Sequence, residues 1–142
     1  MTDFKAQFVP PEPNPVVKAL IARAMLLRGK PDEFISLLHP DAVLHMIGDR
    51  RDCPFYGDFR GHGQILKLLR DVDAEFERVD HRLLNVVIDG DCFAMRQLVE
   101  IKHRGSSQTA LVVIGHFVRI REGQFSEVFE YADTATMRRL LS

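Results

Sequence analysis

Residues 81–132 read HRLLNVVIDGDCFAMRQLVEIKHRGSSQTALVVIGHFVRIREGQFSEVFEYA, and this stretch decides the fold. Runs rich in Val, Ile, Leu and Phe are interrupted at Gly90-Asp91, at Gly105-Ser106-Ser107-Gln108 and at Glu122-Gly123, the punctuation of successive hairpins. The spacing predicts strands over 81–89, 92–104, 109–121 and 124–132, joined as a four-stranded antiparallel meander. Because side chains alternate along a strand, tight hairpin loops sort these residues onto two faces. One face is mixed and carries Leu83, Asn85, Val87, Ala94, Arg96, Leu98, Glu100, Val113, Gly115, Phe117, Val128, Glu130 and Ala132. The other is nearly all apolar, with Phe93, Met95, Val99, Val112, Ile114, Val118, Phe129 and Tyr131 around Gln97 and His116.

Upstream of the strands the period changes. Asn14 is a good N-cap and Pro15 a good first helical residue; the helix they open carries Val17, Leu20, Ile21, Ala24 and Leu27 on one stripe and runs to Arg28, where Gly29 stops it. A short helix starts at Pro31 and ends before Pro40, and residues 42–47 read as a strand. After a Gly57–Gly63 loop, Ile65, Leu68, Leu69, Val72, Phe76 and Val79 keep the three-and-four spacing of a third helix. Asp133 or Thr134 can cap a last short helix bearing Met137, Leu140 and Leu141. Helices first and a sheet afterwards make an α+β plan, with the helices covering one sheet face. The prolines at 10, 11, 13 and 15 make residues 1–14 an extended lead-in to a single domain spanning 1–142.

Composition narrows the function. The 142 residues hold 19 basic and 20 acidic side chains, a formal net charge of -1, with no basic cluster to attract a polyanion, so nucleic acid is not an expected partner. No apolar run is long enough to span a membrane and none resembles a signal peptide, which leaves a cytoplasmic protein as the expectation. Cys53 and Cys92 form no CxxC pair and read as free thiols of a reducing compartment. Phosphate-loop, dinucleotide, zinc-protease and nucleophile-elbow motifs are absent, so no cofactor, no metal and no covalent nucleophile are expected.

Three stretches, FISLLHPDAVLHMIG at 34–48, FYGDFRGHGQILKLL at 55–69 and GHFVRIREGQFSEVFEYADT at 115–134, resemble the SnoaL-like polyketide cyclases, ketosteroid isomerases and limonene epoxide hydrolases of the nuclear-transport-factor-like superfamily. The resemblance runs from Pro15 onward and implies a cone-shaped α+β barrel around a small-molecule pocket. It does not select a reaction, because this fold hosts isomerases, dehydratases, hydrolases, cyclases and purely structural members. The epoxide hydrolases hold water and epoxide with an Arg-x-Asp pair and the last Asp of a Trp-Arg-Asp-Tyr-Phe-Asp ending. Matching the endings puts Glu130 at that last Asp and Glu100 at the other, but Leu98 at the arginine, with Arg96 one pleat away. Epoxide hydrolysis is therefore not carried over.

Both carboxylates fall on the mixed face, whose small residues Ala94, Gly115 and Ala132 leave room. The expected pocket therefore opens on that face, with Glu130 and Glu100 as a proton-handling pair in which burial and repulsion raise at least one pKa. Arg96, Leu98, Val113, Phe117, Val128 and Ala132 would line it, and Arg96 would hold an anionic group. The resemblance adds Leu44 and Met46 from the first strand and turns His45 away; His45 is a candidate base on residue type, although a packed histidine is its commoner role. Three alternatives stay open. In the first the mixed face is simply the solvent side; in the second the carboxylates pair with Arg96 or Lys102; in the third a β-bulge exchanges the faces and brings His116, Gln97 and Tyr131 into the pocket. On the pocket reading, a second copy of the chain covers the outer sheet face, giving a homodimer. The functional expectation is a cofactor-independent acid–base enzyme on a small, mostly apolar substrate, or else a non-catalytic ligand-binding or dimerisation domain.

Overall fold

A computed structural model describes residues 14–142; the expected lead-in lies outside this range except for Asn14. Asn14 caps α1 (Pro15–Leu26) by accepting the Val16 N–H, and Gly29 takes the positive φ of 75° that ends the turn beyond it. Next come α2 (Pro31–Phe34), a 3-10 turn (Ile35–Leu37), β1 (Leu38–Ile47), β2 (Gly57–Arg60) and α3 (Gly61–Glu75). The long strands β3 (Phe76–Asp89), β4 (Cys92–His103), β5 (Thr109–Arg121) and β6 (Gln124–Ala132) follow, and α4 (Thr134–Leu141) closes the chain with Asp133 as its N-cap. The α+β order and the antiparallel meander are as the sequence predicts. Three boundaries differ. Strand β1 begins at Leu38 rather than 42, β2 occupies part of the expected loop, and the third helix stops at Glu75. Phe76 and Val79 keep helical spacing, but Phe76 to Arg78 pair with His103 to Ile101 as strand residues, since a 14-residue β3 can match β4 along its whole length.

The six strands form one sheet in the order β2-β1-β6-β5-β4-β3, with β1 and β6 parallel and every other neighbour antiparallel. Its inner face, turned to the helices, carries Phe93, Met95, Gln97, Val99 and Ile101 from β4 and Val112, Ile114, His116 and Val118 from β5. The apolar face of these two strands therefore packs on the helices, and the mixed face of Ala94, Arg96, Leu98, Glu100, Val113 and Phe117 is the outer one. This reverses the expected assignment for β4 and β5. Burial of a Val, Ile or Phe side chain is worth about 1.5–3 kcal/mol, so the face richer in them is the one the helices cover.

Bulges correct the parity elsewhere. Arg121 pairs with Gln124 and Ile120 with Phe125, but Arg119 then pairs with Glu127, so Ser126 is an extra residue in β6. Its hydroxyl donates to the Arg119 carbonyl at 3.1 Å. Every residue after it changes side: Val128, Glu130 and Ala132 join the inner face opposite Val118, His116 and Ile114, while Phe129 and Tyr131 turn outward. Strand β3 has two further register shifts, at Val79 and Leu84, which bring Arg78, His81, Leu83, Val86 and Ile88 all to the inner side of their β4 partners.

Two apolar clusters fill the inner face. Phe93, Val118, Ile120 and Phe125 pack with Val17 and Ile21 of α1 and Ile65 and Leu68 of α3. Toward the other end, Val99, Ile101, Ala110 and Val112 pack with Phe76 and with Leu140 of α4. Between the clusters the sheet presents a polar row.

Candidate functional site

That row crosses five strands: Met46, Glu130, His116, Met95 and Val86 are successive cross-strand neighbours, with Ala132, Ile114, Gln97 and Leu83 in the row beside it. His116 Nε2 lies 2.7 Å from Glu130 Oε1, and the two side chains are only 13% and 20% exposed. A carboxylate can only accept, so Nε2 carries a proton; in the uncharged ring Nδ1 is then a lone pair, and in the doubly protonated ring it is a second donor. Nδ1 is buried and has no partner among the described residues. Burial pushes the Glu130 carboxyl upward, but the His116 hydrogen bond and charge, helped by Arg78 and Arg28, outweigh it and hold the group below the usual carboxylate range.

Three more buried polar atoms lack partners among the described residues: Gln97 Oε1, Tyr56 Oη and an Arg28 guanidinium nitrogen. Gln97 is fully buried and lies on the neighbouring row of the same face. Tyr56 ends the loop after β1, where the Arg50 Nε–H donates to its carbonyl at 2.9 Å and Gly48 makes room for the ring, since an added Cβ would collide with it. Burial first, then the Cys53 and Glu130 charges, push the Tyr56 phenol up to about 12, so it remains an O–H donor. Arg28 lies just beyond α1. Arg28, the loop residues Cys53 and Tyr56, Arg78 of β3 and His116 of β5 all lie within reach of the Glu130 charge, which makes this carboxylate the common neighbour of groups from four parts of the chain. Buried polar atoms are normally paired, and four unpaired ones are donors and acceptors available to a bound molecule.

Of the residues singled out from sequence, Glu130, Leu44, Met46, Val128 and Ala132 share the inner face. Glu100, Arg96, Leu98, Val113 and Phe117 lie on the outer face, so Glu100 and Glu130 are separated by the sheet and cannot act as a pair. The reason is the Ser126 bulge: an unbroken hairpin register would set Glu130 beside Gly115, on the Glu100 side. The expected repulsion between carboxylates is replaced by attraction to His116, and the pKa shift reverses. Arg96 donates to Asn85 Oδ1 at 2.9 and 2.7 Å on the outer face, and Glu100 has no ion-pair partner among the described residues. His45 also faces outward, stacked on Phe129 with ring centroids 4.4 Å apart and held between Asp58 at 2.7 Å and Glu127 at 3.0 Å.

His116 and Gln97 reach the inner face because the apolar side of β4 and β5 packs on the helices, as the alternative with the mixed face toward solvent had it, while the β6 bulge turns Tyr131 outward. Sequence reasoning missed Arg28 and Tyr56. Arg28 did leave a signal, since Val17, Ile21, Ala24 and Arg28 continue one stripe at spacings of four, three and four. Tyr56 left none, because its burial depends on a loop without periodicity. Among the described residues no cluster of His, Cys, Asp and Glu could hold a metal ion, and no helix is long and apolar enough to cross a membrane.

No curated protein matches this chain. Among solved structures, a proposed isomerase from Bacillus subtilis superposes with a TM-score of 0.77 at 11% identity, over 89% of this chain and 92% of that one. A proposed SnoaL-like polyketide cyclase from Jannaschia sp. CCS1 gives 0.75 at 15% identity, over 93% and 97%. TerC, co-crystallised with polyporic acid, gives 0.74 at 21% identity, over 90% and 98%. These likenesses establish a shared fold, that of nuclear-transport-factor-like proteins. The SnoaL-like domain model matches residues 17–128, which takes in every strand but the end of β6 and most of the inner face. On that match over most of its length, the chain belongs to the SnoaL-like domain family.

Proposed function

We propose that this protein is a cofactor-independent acid–base enzyme of the isomerase or cyclase kind, acting on a small, mostly apolar carbonyl compound bound against the inner face of the sheet. The observation that carries this reading is the unpaired Nδ1 of a buried histidine whose other nitrogen is held by a carboxylate. In it His116 Nδ1 removes a proton from the carbon beside the carbonyl, and the resulting imidazolium is stabilised by Glu130 at Nε2. The Tyr56 hydroxyl donates to the oxygen on which enolate charge develops. The proton then returns from Nδ1 to another position of the substrate. Proton transfer by such a group is worth about 10² to 10⁴ in rate. Glu130 acts here as a positioning residue, a narrower role than sequence suggested.

The test is solvent exchange: aryl ketones and aryl β-keto acids are incubated with the protein in D2O and followed by proton NMR. Exchange above the buffer rate that is lost in His116→Ala, with the circular dichroism spectrum unchanged, supports the assignment. Exchange no faster than buffer for the whole panel, or equally fast in His116→Ala, defeats it. Binding without turnover is the second reading, favoured by the same four unpaired polar atoms, and it would leave ligand affinity without exchange.

The outer face bears exposed Val87, Leu111, Val113, Phe117 and Tyr131, more apolar surface than a lone sheet face ordinarily shows to water. A second copy of the chain is the proposed cover. Sedimentation should give a dimer that Phe117→Glu dissociates, and a wild-type monomer at micromolar concentration would remove the idea. Two free cysteines suit a reducing cytoplasm.

A further inference from the structure

Near the His116–Glu130 pair the inner face carries two arginine charges, Arg28 and Arg78, against the single carboxylate of Glu130, with His81 beside them held toward its uncharged form by burial and the two arginines. Arg78 and His81 are three residues apart on β3, and regular alternation would put them on opposite faces. The register shift at Val79 brings both inward, Arg78 beside Ile101 and His81 beside Val99. Bulges commonly re-aim side chains next to sites. Arg28 approaches from beyond α1, with one guanidinium nitrogen buried and unpaired. None of the three side chains forms a hydrogen bond or ion pair among the described residues. Burial, then the charge of Arg78, push the Arg28 guanidinium down to about 10, against the opposing pull of Glu130; it is still fully charged at neutral pH. Glu130 cannot neutralise both arginines, because its near oxygen is committed to His116.

The repulsion between Arg28 and Arg78, together with one buried Arg28 donor left unpaired among the described residues, costs the unliganded fold stability. Such an arrangement is retained where a bound anion supplies the missing acceptors, and the planar guanidinium matches a carboxylate. We propose that the ligand of this site is a small carboxylate anion with an otherwise apolar body, its carboxylate held by Arg28 and Arg78 and its body extending over the His116 row. The proposal rests on the inner-face site described above and names the substrate class for it.

The probe pair is benzoate and benzamide, which share a ring and differ in charge, measured by calorimetric titration at low ionic strength. Wild-type protein should bind benzoate at millimolar or lower concentration, and benzamide at least about tenfold more weakly. Arg28→Gln should weaken benzoate roughly 30-fold or more, as expected when one partner of a buried charge pair is truncated, and leave benzamide unchanged. Because Arg28 is partly buried, Arg78→Gln provides a variant at an exposed position with the same expected direction. Unliganded Arg28→Gln should also melt at a higher temperature than wild type, the opposite of what loss of a structural contact does. Equal affinity for the two probes, no binding of benzoate, or benzoate affinity unchanged in both arginine variants would overturn the proposal. Benzoate binding is read by heat and needs no proton transfer, so failure of the acid–base reading leaves this result standing.

Discussion

Strand β6 holds two histidine–carboxylate pairs, one on each side of the sheet, and they differ in what they leave over. On the outer face both ring nitrogens of His45 face carboxylates, Asp58 and Glu127, so the pair is complete when the ring carries two protons. On the inner face His116 meets one carboxylate, and its other nitrogen is buried with no partner among the described residues. Burial disfavours the charged form of His45, but the two acidic partners outweigh it and raise its pKa. The first arrangement consumes the chemistry of the imidazole in holding β1, β2 and β6 together. The second keeps one lone pair in reserve. A histidine beside an acid is thus no sign of function until the remaining nitrogen has been accounted for.

Several measurements would break or sharpen this contrast. The largest effect is expected for His116→Ala, with proton exchange falling by about 10² to 10⁴ while His45→Ala leaves it unchanged; comparable losses in the two would erase the distinction. Glu130→Gln keeps an acceptor for Nε2 but removes the charge, so kcat for exchange should fall by about tenfold or more with KM preserved, since the stabilisation lost belongs to the transition state. The same variant bears on acid stability. The Glu130 pKa is lowered in the fold, so its contribution is present above the unfolded carboxylate value and is lost as pH falls through the folded one. Denaturant unfolding should show Glu130→Gln with less acid dependence than wild type below about pH 4.3.

For His45 the sign reverses. Its pKa is raised, so its contribution is fully present below the unfolded value near 6.5 and is lost as pH rises through the folded one. His45→Ala should cost about 1 kcal/mol at pH 5 and less at pH 8, and an equal cost at both would show that only the stacking on Phe129 matters. The smallest effect belongs to Arg96→Ala, whose outer-face bond to Asn85 is exposed and should contribute a few tenths of a kcal/mol at most, with benzoate affinity unaltered.

The fold was legible because its signals are local. Gly90, the Gly105–Gln108 turn and Glu122-Gly123 mark the hairpins, and the stripes of α1 and α3 state which sides they bury. The site was legible only in part. The resemblance assigned Leu44, Met46 and Glu130 to the pocket but Glu100 with them, and alternation counted from the hairpin grouped Glu130, Val128 and Ala132 with Glu100, which the Ser126 bulge separates. A bulge leaves almost no trace in sequence. Ser126 is an unremarkable strand residue, and so are Val79 and Leu84, yet each shifts the side of everything that follows or precedes it. The preference for a spacious, polar inner face also misled the reading of β4 and β5, where Phe93, Val99, Val112 and Val118 supply the burial that the helices need.

The Ser126 bulge therefore behaves as an address label for β6. With it, Glu130 is delivered to His116 and Tyr131 to the outside; shortened by that one residue, the same strand would exchange the two destinations without altering a functional group. Chemistry on a sheet of this kind can thus be gained or silenced by changing a count instead of a side chain. Two chains with every site residue in common, but one residue more or less at position 126, would be expected to differ in what they do.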